Sequence, residues 1–154
     1  MTDFDSRPDT FLHSQRVGEL LVVIIKGLLD RTTCHDRSKT LPPEVDVFDE
    51  YTPKLRDSTY GTPEYRALLG GMGAGLRHHY EANRHHPEHF PDGIDGMTLV
   101  DLAEMLADWK AATERHADGD LARSLSINGE RFAISDQLLS VLRNTAAEFG
   151  WVDQ

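Results

Sequence analysis

The stretch FLHSQRVGELLVVIIKGLLDR, residues 11–31, decides the fold class. Its apolar residues Phe11, Leu12, Val17, Leu20, Leu21, Ile24, Ile25 and Leu28 recur at spacings of three and four, the period of a helix that turns one stripe toward a core. Thr10 stands before it as an N-cap, its hydroxyl suited to accept an N–H of the first turn. Residues 1–9 are polar, include Pro8 and read as a loosely held N-terminal arm. The longest apolar run, residues 20–25, is far shorter than the roughly 20 residues that span a bilayer. Three acids precede any apolar stretch, unlike a signal peptide. The expectation is a cytoplasmic protein with no membrane partner.

Downstream of this helix, Thr32, Thr33 and Cys34 read as a break. The pentapeptide His35-Asp36-Arg37-Ser38-Lys39 then opens a short helix that Pro42 and Pro43 stop. An imidazole beside a carboxylate suits one divalent metal ion. On a helical backbone Lys39 shares a face with His35, so it reaches an anion held by that metal. The lone Cys34 has no partner for an internal disulfide and reads as a small buried residue. A second short helix is expected over 44–51, a loop over 52–62, and a helix over 63–84 started by Pro63. Gly70, Gly71, Gly73 and Gly75 thin that helix. No strand precedes these glycines and no Gly-Lys-Ser/Thr follows, so close packing against a neighbouring helix explains them better than a phosphate loop.

Five of the eight histidines fall within residues 78–89. Neutral imidazole is a common ligand for Zn, Fe, Mn or Ni, and a metal is the natural reason for such crowding. His78 and His79, on the helix, are the expected ligands. His85, His86 and His89 flank Pro87 in a loop and are expected to line the substrate pocket. A turn follows over 91–96, then a helix over 98–116, where Thr98 and Asp101 form a capping box. Asp108 lies among Leu102, Met105, Leu106, Trp109 and Ala112, where an uncompensated carboxylate is costly to bury. A metal ion or His78/His79 would compensate it; the alternative is a solvated place at the edge of the stripe. Residues 126–132, with Asn128-Gly129, read as a short hairpin or irregular crossover. A last helix runs over 136–149, capped by Ser135 and stopped by Gly150. Phe149 and Trp151 read as core or as a homodimer contact. The result is one compact all-α domain over 10–154, with five to six helices.

At 154 residues, 39% hydrophobic and 27% charged, the chain is ordinary for one globular domain. Sixteen basic against 26 acidic residues give a net charge of −10. Such a field repels polyanions, so duplex nucleic acid is excluded as a partner, whereas a metal and a few local cations can still attract a small anion.

His13, then His35-Asp36, then His78-His79, then Asp108 resemble in order the ligand series of the HD superfamily of metal-dependent phosphohydrolases. His-Asp-Arg-Ser-Lys is similar to the His-Asp-Ile-Gly-Lys of its HD-GYP branch. His-His-Tyr-Glu is similar to that branch's His-His-Glu, and Ala107-Asp108-Trp109 to its Ala-Asp-aromatic triplet. Residues 10–145 look closer still to a group of small HD-like proteins of phage and bacterial genomes. These share His-His-Tyr-Glu-x-Asn-Arg-His-His-Pro-Glu-His and Asp-Trp-Lys-Ala. The Gly-Tyr-Pro element is absent, which speaks against cyclic dinucleotide hydrolysis, and no His lies between Lys39 and His78, which bears on whether two metals bind. The resemblance implies one or two divalent transition metal ions (Mn, Fe, Co, Ni or Zn) held by His13, His35, Asp36, His78, His79 and Asp108. It implies hydrolysis of a small phosphoester, a nucleotide foremost. Lys39, with Arg77 or Arg84, would neutralise phosphate charge and Glu81 would handle the proton. The alternatives are an HD-fold di-iron oxygenase and a non-enzymatic helical interaction protein with a structural metal.

Overall fold

A computed structural model describes residues 4–115 and 118–152. Among them the chain is all-helical, with seven α-helices, three short 3-10 turns and no strand. It divides into two compact units, Met1–His35 and Asp36–Gln154, where one domain over 10–154 was expected.

The first unit is essentially one helix, α1, Arg7–Cys34. Pro8 sits in its first turn, where no partner for its nitrogen is needed, and Asp9 and Arg31 complement the two ends of the helix dipole. The helix starts earlier than Thr10, so residues 7–9 belong to it and not to a loose arm; residues 1–3 lie outside the described residues. It also runs through the expected break. Thr32 Oγ1 donates to the Leu29 carbonyl (2.7 Å) and Thr33 Oγ1 to that of Asp30 (2.8 Å), so the hydroxyls are absorbed into the last turn. Cys34 is exposed rather than buried, its Sγ turned back on the Asp30 carbonyl. No residue of α1 is buried.

The second unit holds α2 (Val45–Arg56), α3 (Pro63–Gly71), α4 (Gly73–Ala82), α5 (Leu99–Thr113), α6 (Leu121–Arg131) and α7 (Asp136–Glu148). Its core is built by α5, α6 and α7: Met105, Leu106 and Trp109 meet Leu121 and Leu125, then Leu142 and Ala146, closed by Ile94 and Ile134. Each set repeats at helical spacing, which is why these three helices present one apolar face. Trp151 and Val152 pack against this core, while Phe149 is exposed. Gly150 takes φ +67° after α7, the left-handed stop its position predicts.

The expected helix over 63–84 is two helices, parted at Met72-Gly73. The packing reading holds against α2 for Gly71 and Gly75, whereas a Cβ on Gly70 or Gly73 would meet nothing within 4 Å and Gly73 takes φ +52°. A Cβ on Gly75 would lie 2.8 Å from Val47, and one on Gly71 would lie 2.6 Å from the Tyr51 hydroxyl. Helix α2 is longer than expected, carrying Pro53 inside it and shortening the loop before α3. Thr98 and Asp101 form the expected capping box of α5; the expected end at His116 lies outside the described residues. The hairpin over 126–132 is corrected: these residues belong to α6 and the turn after it. Asn-Gly makes a hairpin turn when both residues take positive φ, and neither does here. Asp120 instead caps α6, accepting from the N–H groups of Ala122 (2.7 Å) and Arg123 (3.3 Å). Asn128 is buried in α6, its Oδ1 accepting from the Tyr60 hydroxyl (3.0 Å).

Candidate metal centre

Asp36 adopts φ +55°, a left-handed conformation that Asp tolerates better than most residues. It is followed by the 3-10 turn Arg37–Thr40 in place of the short helix expected there. The i to i+4 face of His35 and Lys39 is therefore not formed. Lys39 bonds Asp36 Oδ2 instead, three residues back, and its ammonium lies over the Phe48 ring at 4.9 Å. Asp36 Oδ1 lies 3.4 Å from His79 Nε2 and 3.5 Å from His85 Nε2.

Helix α4 contributes His79, which is 2% exposed. The chain leaves the helix at Asn83, and the extended backbone there lets His85 and His86 fold back beside His79. His79 Nε2 and His86 Nε2 face each other at 2.8 Å. Donor atoms of Asp36, His79, His85 and His86 all lie within 4.8 Å of one another. A donor atom of Asp108, on α5, lies equally close to those of Asp36 and His85.

Two carboxylates hold these imidazoles from behind. Glu44 is fully buried; its Oε1 accepts from His78 Nδ1 (2.7 Å) and its Oε2 from His79 Nδ1 (2.9 Å). Glu104 Oε1 lies 3.3 Å from His85 Nδ1. A carboxylate accepts only, so each facing Nδ1 carries the proton, and in the neutral imidazoles of His79 and His85 the Nε2 presents a lone pair to the cluster. Carboxylate, imidazole and an outward Nε2 form the arrangement in which metal-bound histidines are held. Ser38 and Asn83 complete it: Ser38 Oγ donates to Glu44 Oε2 (2.9 Å), and Asn83 Nδ2 donates to Ser38 Oγ and to the His79 carbonyl, both at 2.8 Å.

The surroundings of His79 and His86 favour their neutral form. Burial lowers the His79 pKa, as does the charge of Lys39, against the opposing pull of Asp36 and Glu44. Burial lowers that of His86 much further, helped by neighbouring His85 and His79. Neutral imidazole is the form that binds a metal ion. Asp36, buried His79 and His85, and His86 thus form a group that could hold a metal ion, with Asp108 close to two of them.

The cluster opens on a cleft of about 850 Å³, a volume that suits a small-molecule site. Asp36, Lys39, His79, His86 and Asp108 form one part of its lining. Arg56, Arg115, Arg123 and Arg131 line it with the aromatic rings of Tyr60, Tyr80, Trp109 and Phe132. Arg131 is held by Glu88 at 2.7 Å.

Of the residues expected from sequence, Asp36, His79 and Asp108 come together with His85 and His86, and Lys39 stands beside them. His78 does not join: it bonds Glu44 and its side chain is 45% exposed. His85 and His86, expected in the pocket wall, supply donors to the cluster. His35 is the residue after α1, its N–H bonded to the Arg31 carbonyl. His13 is exposed on α1, 22 residues and so about 33 Å of helix axis before His35. Arg84 is tied to Asp101 by two bonds of 3.0 and 2.9 Å and, like exposed Arg77, lies outside the cleft lining. Glu81 is exposed and His89 half-buried, both outside that lining. The sequence reading missed Glu44, Glu104, Asn83 and the four cleft arginines. Only Glu44 carried a signal, as the acid directly after the Pro42-Pro43 stop.

Fold and site thus define an all-helical protein with a His/Asp group able to hold a metal ion. The model of a family of unknown function, DUF5662, matches residues 2–148, and the chain belongs to that family. No curated protein and no solved structure matches it. Among the described residues no helix is long and apolar enough to cross a membrane.

Proposed function

We propose that this protein is a metal-dependent phosphohydrolase acting on a small phosphoester, a nucleotide foremost. The observation that carries this reading is the opening of a carboxylate-backed His/Asp cluster onto a cleft lined by Lys39 and four arginines. Asp36, His79, His85 and His86 would hold a divalent ion. Such an ion, when bound, lowers the pKa of water and polarises a phosphoryl oxygen.

The chain's own groups do the rest. Glu44 and Glu104 keep His79 and His85 in the tautomer that presents Nε2. Lys39 and the cleft arginines would draw in the phosphate and neutralise the charge that develops on it, with Asp49, Glu88, Asp118 and Asp120 sharing the same lining. Asp108, which lines the cleft and has a donor atom within 4.8 Å of those of Asp36 and His85, would take the proton from the attacking water in place of Glu81, which does not line the cleft. Tyr60, Tyr80, Trp109 and Phe132 offer faces on which a base can stack. The chain order Asp36, His79, Asp108 supports the resemblance to the HD superfamily.

The test pairs elemental analysis with a phosphate-release assay. Wild-type protein, Asp36→Asn and His86→Ala are each loaded with Mn, Fe, Co, Ni or Zn and offered nucleotides and simple phosphomonoesters. The expected result is metal-dependent phosphate release by the wild type, with metal and turnover lost together in both variants. Full metal content and full turnover in Asp36→Asn would overturn the site, and metal bound without hydrolysis of any phosphoester would overturn the reaction.

A further inference from the structure

We propose that α1 pairs antiparallel with the α1 of a second copy of this chain. Residues 20–25 are six consecutive apolar residues, so they place apolar side chains on every face of the helix. A helix apolar all round is one that is covered, and a single helix has no core of its own in which to bury them. Two stripes run along it. Val17, Leu21, Ile24 and Leu28 form one; Phe11, Gly18, Val22, Ile25 and Leu29 form the other. Both are exposed, the second with Phe11 at 75%, Val22 at 61%, Ile25 at 52% and Leu29 at 59%, the first with Val17 at 40%, Leu21 at 53% and Ile24 at 48%.

This second stripe is complementary to itself. The positions 11, 15, 18, 22, 25 and 29 alternate steps of four and three, the repeat of two helices packed side by side. Turned end for end about the midpoint between Val23 and Ile24, the stripe sets Val22 against Ile25 of the second copy and Gly18 against Leu29. A Cβ on Gly18 would meet nothing within 4 Å, so the backbone there leaves room for the incoming leucine.

Charge fits the same register. Glu19 and Lys26 occupy equivalent places on the flank of the stripe, seven residues apart. In the antiparallel pair each falls within two residues, about 3 Å along the axis, of the level of the opposite charge on the second copy. The symmetry makes this contact twice. Arg16, 2.7 Å from Glu19 on its own helix, holds that carboxylate at the flank.

The test is the mass of the full chain in solution by sedimentation velocity and light scattering, over a range of concentrations. Four proteins are compared: wild type, Val22→Glu, Lys26→Glu and the swap Glu19→Lys with Lys26→Glu. The wild type is expected to run at twice the chain mass and Val22→Glu at the monomer mass. Lys26→Glu should weaken the dimer about tenfold, and the swap should restore it. Circular dichroism checks that Val22→Glu keeps its helix content; if it does not, the reversal and swap read the contact alone. A monomeric wild type would overturn the proposal and assign the stripe to residues 36–154 or to another partner. A dimer indifferent to Val22→Glu, or one lost on reversal and not regained by the swap, would overturn it as well.

Discussion

Glu44 is fully buried, and its two oxygens take three donors: His78 Nδ1, His79 Nδ1 and Ser38 Oγ. Glutamine keeps its shape but turns one oxygen into a donor facing a donor. Glu44→Gln should therefore lower metal affinity about 10–100-fold, read by competition against a chelator of known strength. Wild-type affinity in that variant would remove the backing role. Asp101 tests the other buried carboxylate that the structure explains. Burial alone would raise its pKa, but the Arg84 pair and the Thr98 bonds outweigh it and hold it at about 2. The unfolded chain binds this proton near 3.8 and the folded chain only near 2. The stability Asp101 contributes is thus complete above about pH 4 and lost as pH falls toward 2. The gap in melting temperature between wild type and Asp101→Asn should close over that window. Asp36, His79, Asp108 and the Asp101 cap were legible in the sequence because each stands out against its neighbours. Glu44 and Glu104 did not, since an acid looks alike in sequence whether it faces water or an imidazole.

At the scale of elements, the seam between α2 and α4 is the most demanding. A Cβ on Gly75 would press on Val47, whose branched side chain has little rotamer freedom to yield. Gly75→Ala should cost about 1–3 kcal/mol and, because α4 carries His79 one turn later, should also weaken metal binding. Gly70→Ala, where a Cβ meets nothing within 4 Å, should be neutral or stabilise by up to about 1 kcal/mol through helix propensity. Urea unfolding of the two variants separates these outcomes; equal effects would remove the packing argument. The element types were largely legible, since apolar spacings of three and four, Thr98, Ser135 and Gly150 act locally. The hairpin was misread because Asn128-Gly129 is a turn signal only when the flanking residues leave it to one; Asp120 and the buried contacts of Asn128 keep the helix running through it. The end of α1 was misplaced for a similar reason, its two threonines finding partners within their own turn.

For the whole molecule, the core of α5, α6 and α7 and the cluster beside α4 are joined through α5, which supplies Met105, Leu106 and Trp109 to one and Glu104 and Asp108 to the other. A ligand that binds only the folded state stabilises it, by about 2.7 kcal/mol at one hundred times its dissociation constant. Divalent transition metal should therefore raise the melting temperature of the wild type and leave Asp36→Asn unmoved, while a chelator reverses the gain; equal shifts in both proteins would place the metal elsewhere. Leu125, fully buried in α6, should behave oppositely: Leu125→Ala costs about 2–5 kcal/mol and leaves the metal-dependent increment in place. The sequence by itself determined the all-helical class, the helix caps and the presence of a His/Asp-rich region, because periodicity and capping act within one or two turns of chain. Only the tertiary structure decided which imidazoles converge. His78 and His79 are neighbours in sequence and share Glu44, but only His79 brings a donor to the cluster, whereas Asp36, His79, His85 and Asp108 meet because a left-handed residue, a helix end and a loop place them there. The cleft arginines belong to the same lesson, for Arg56, Arg115 and the α6 pair Arg123 and Arg131 come from separate parts of the chain, and folding makes them one surface.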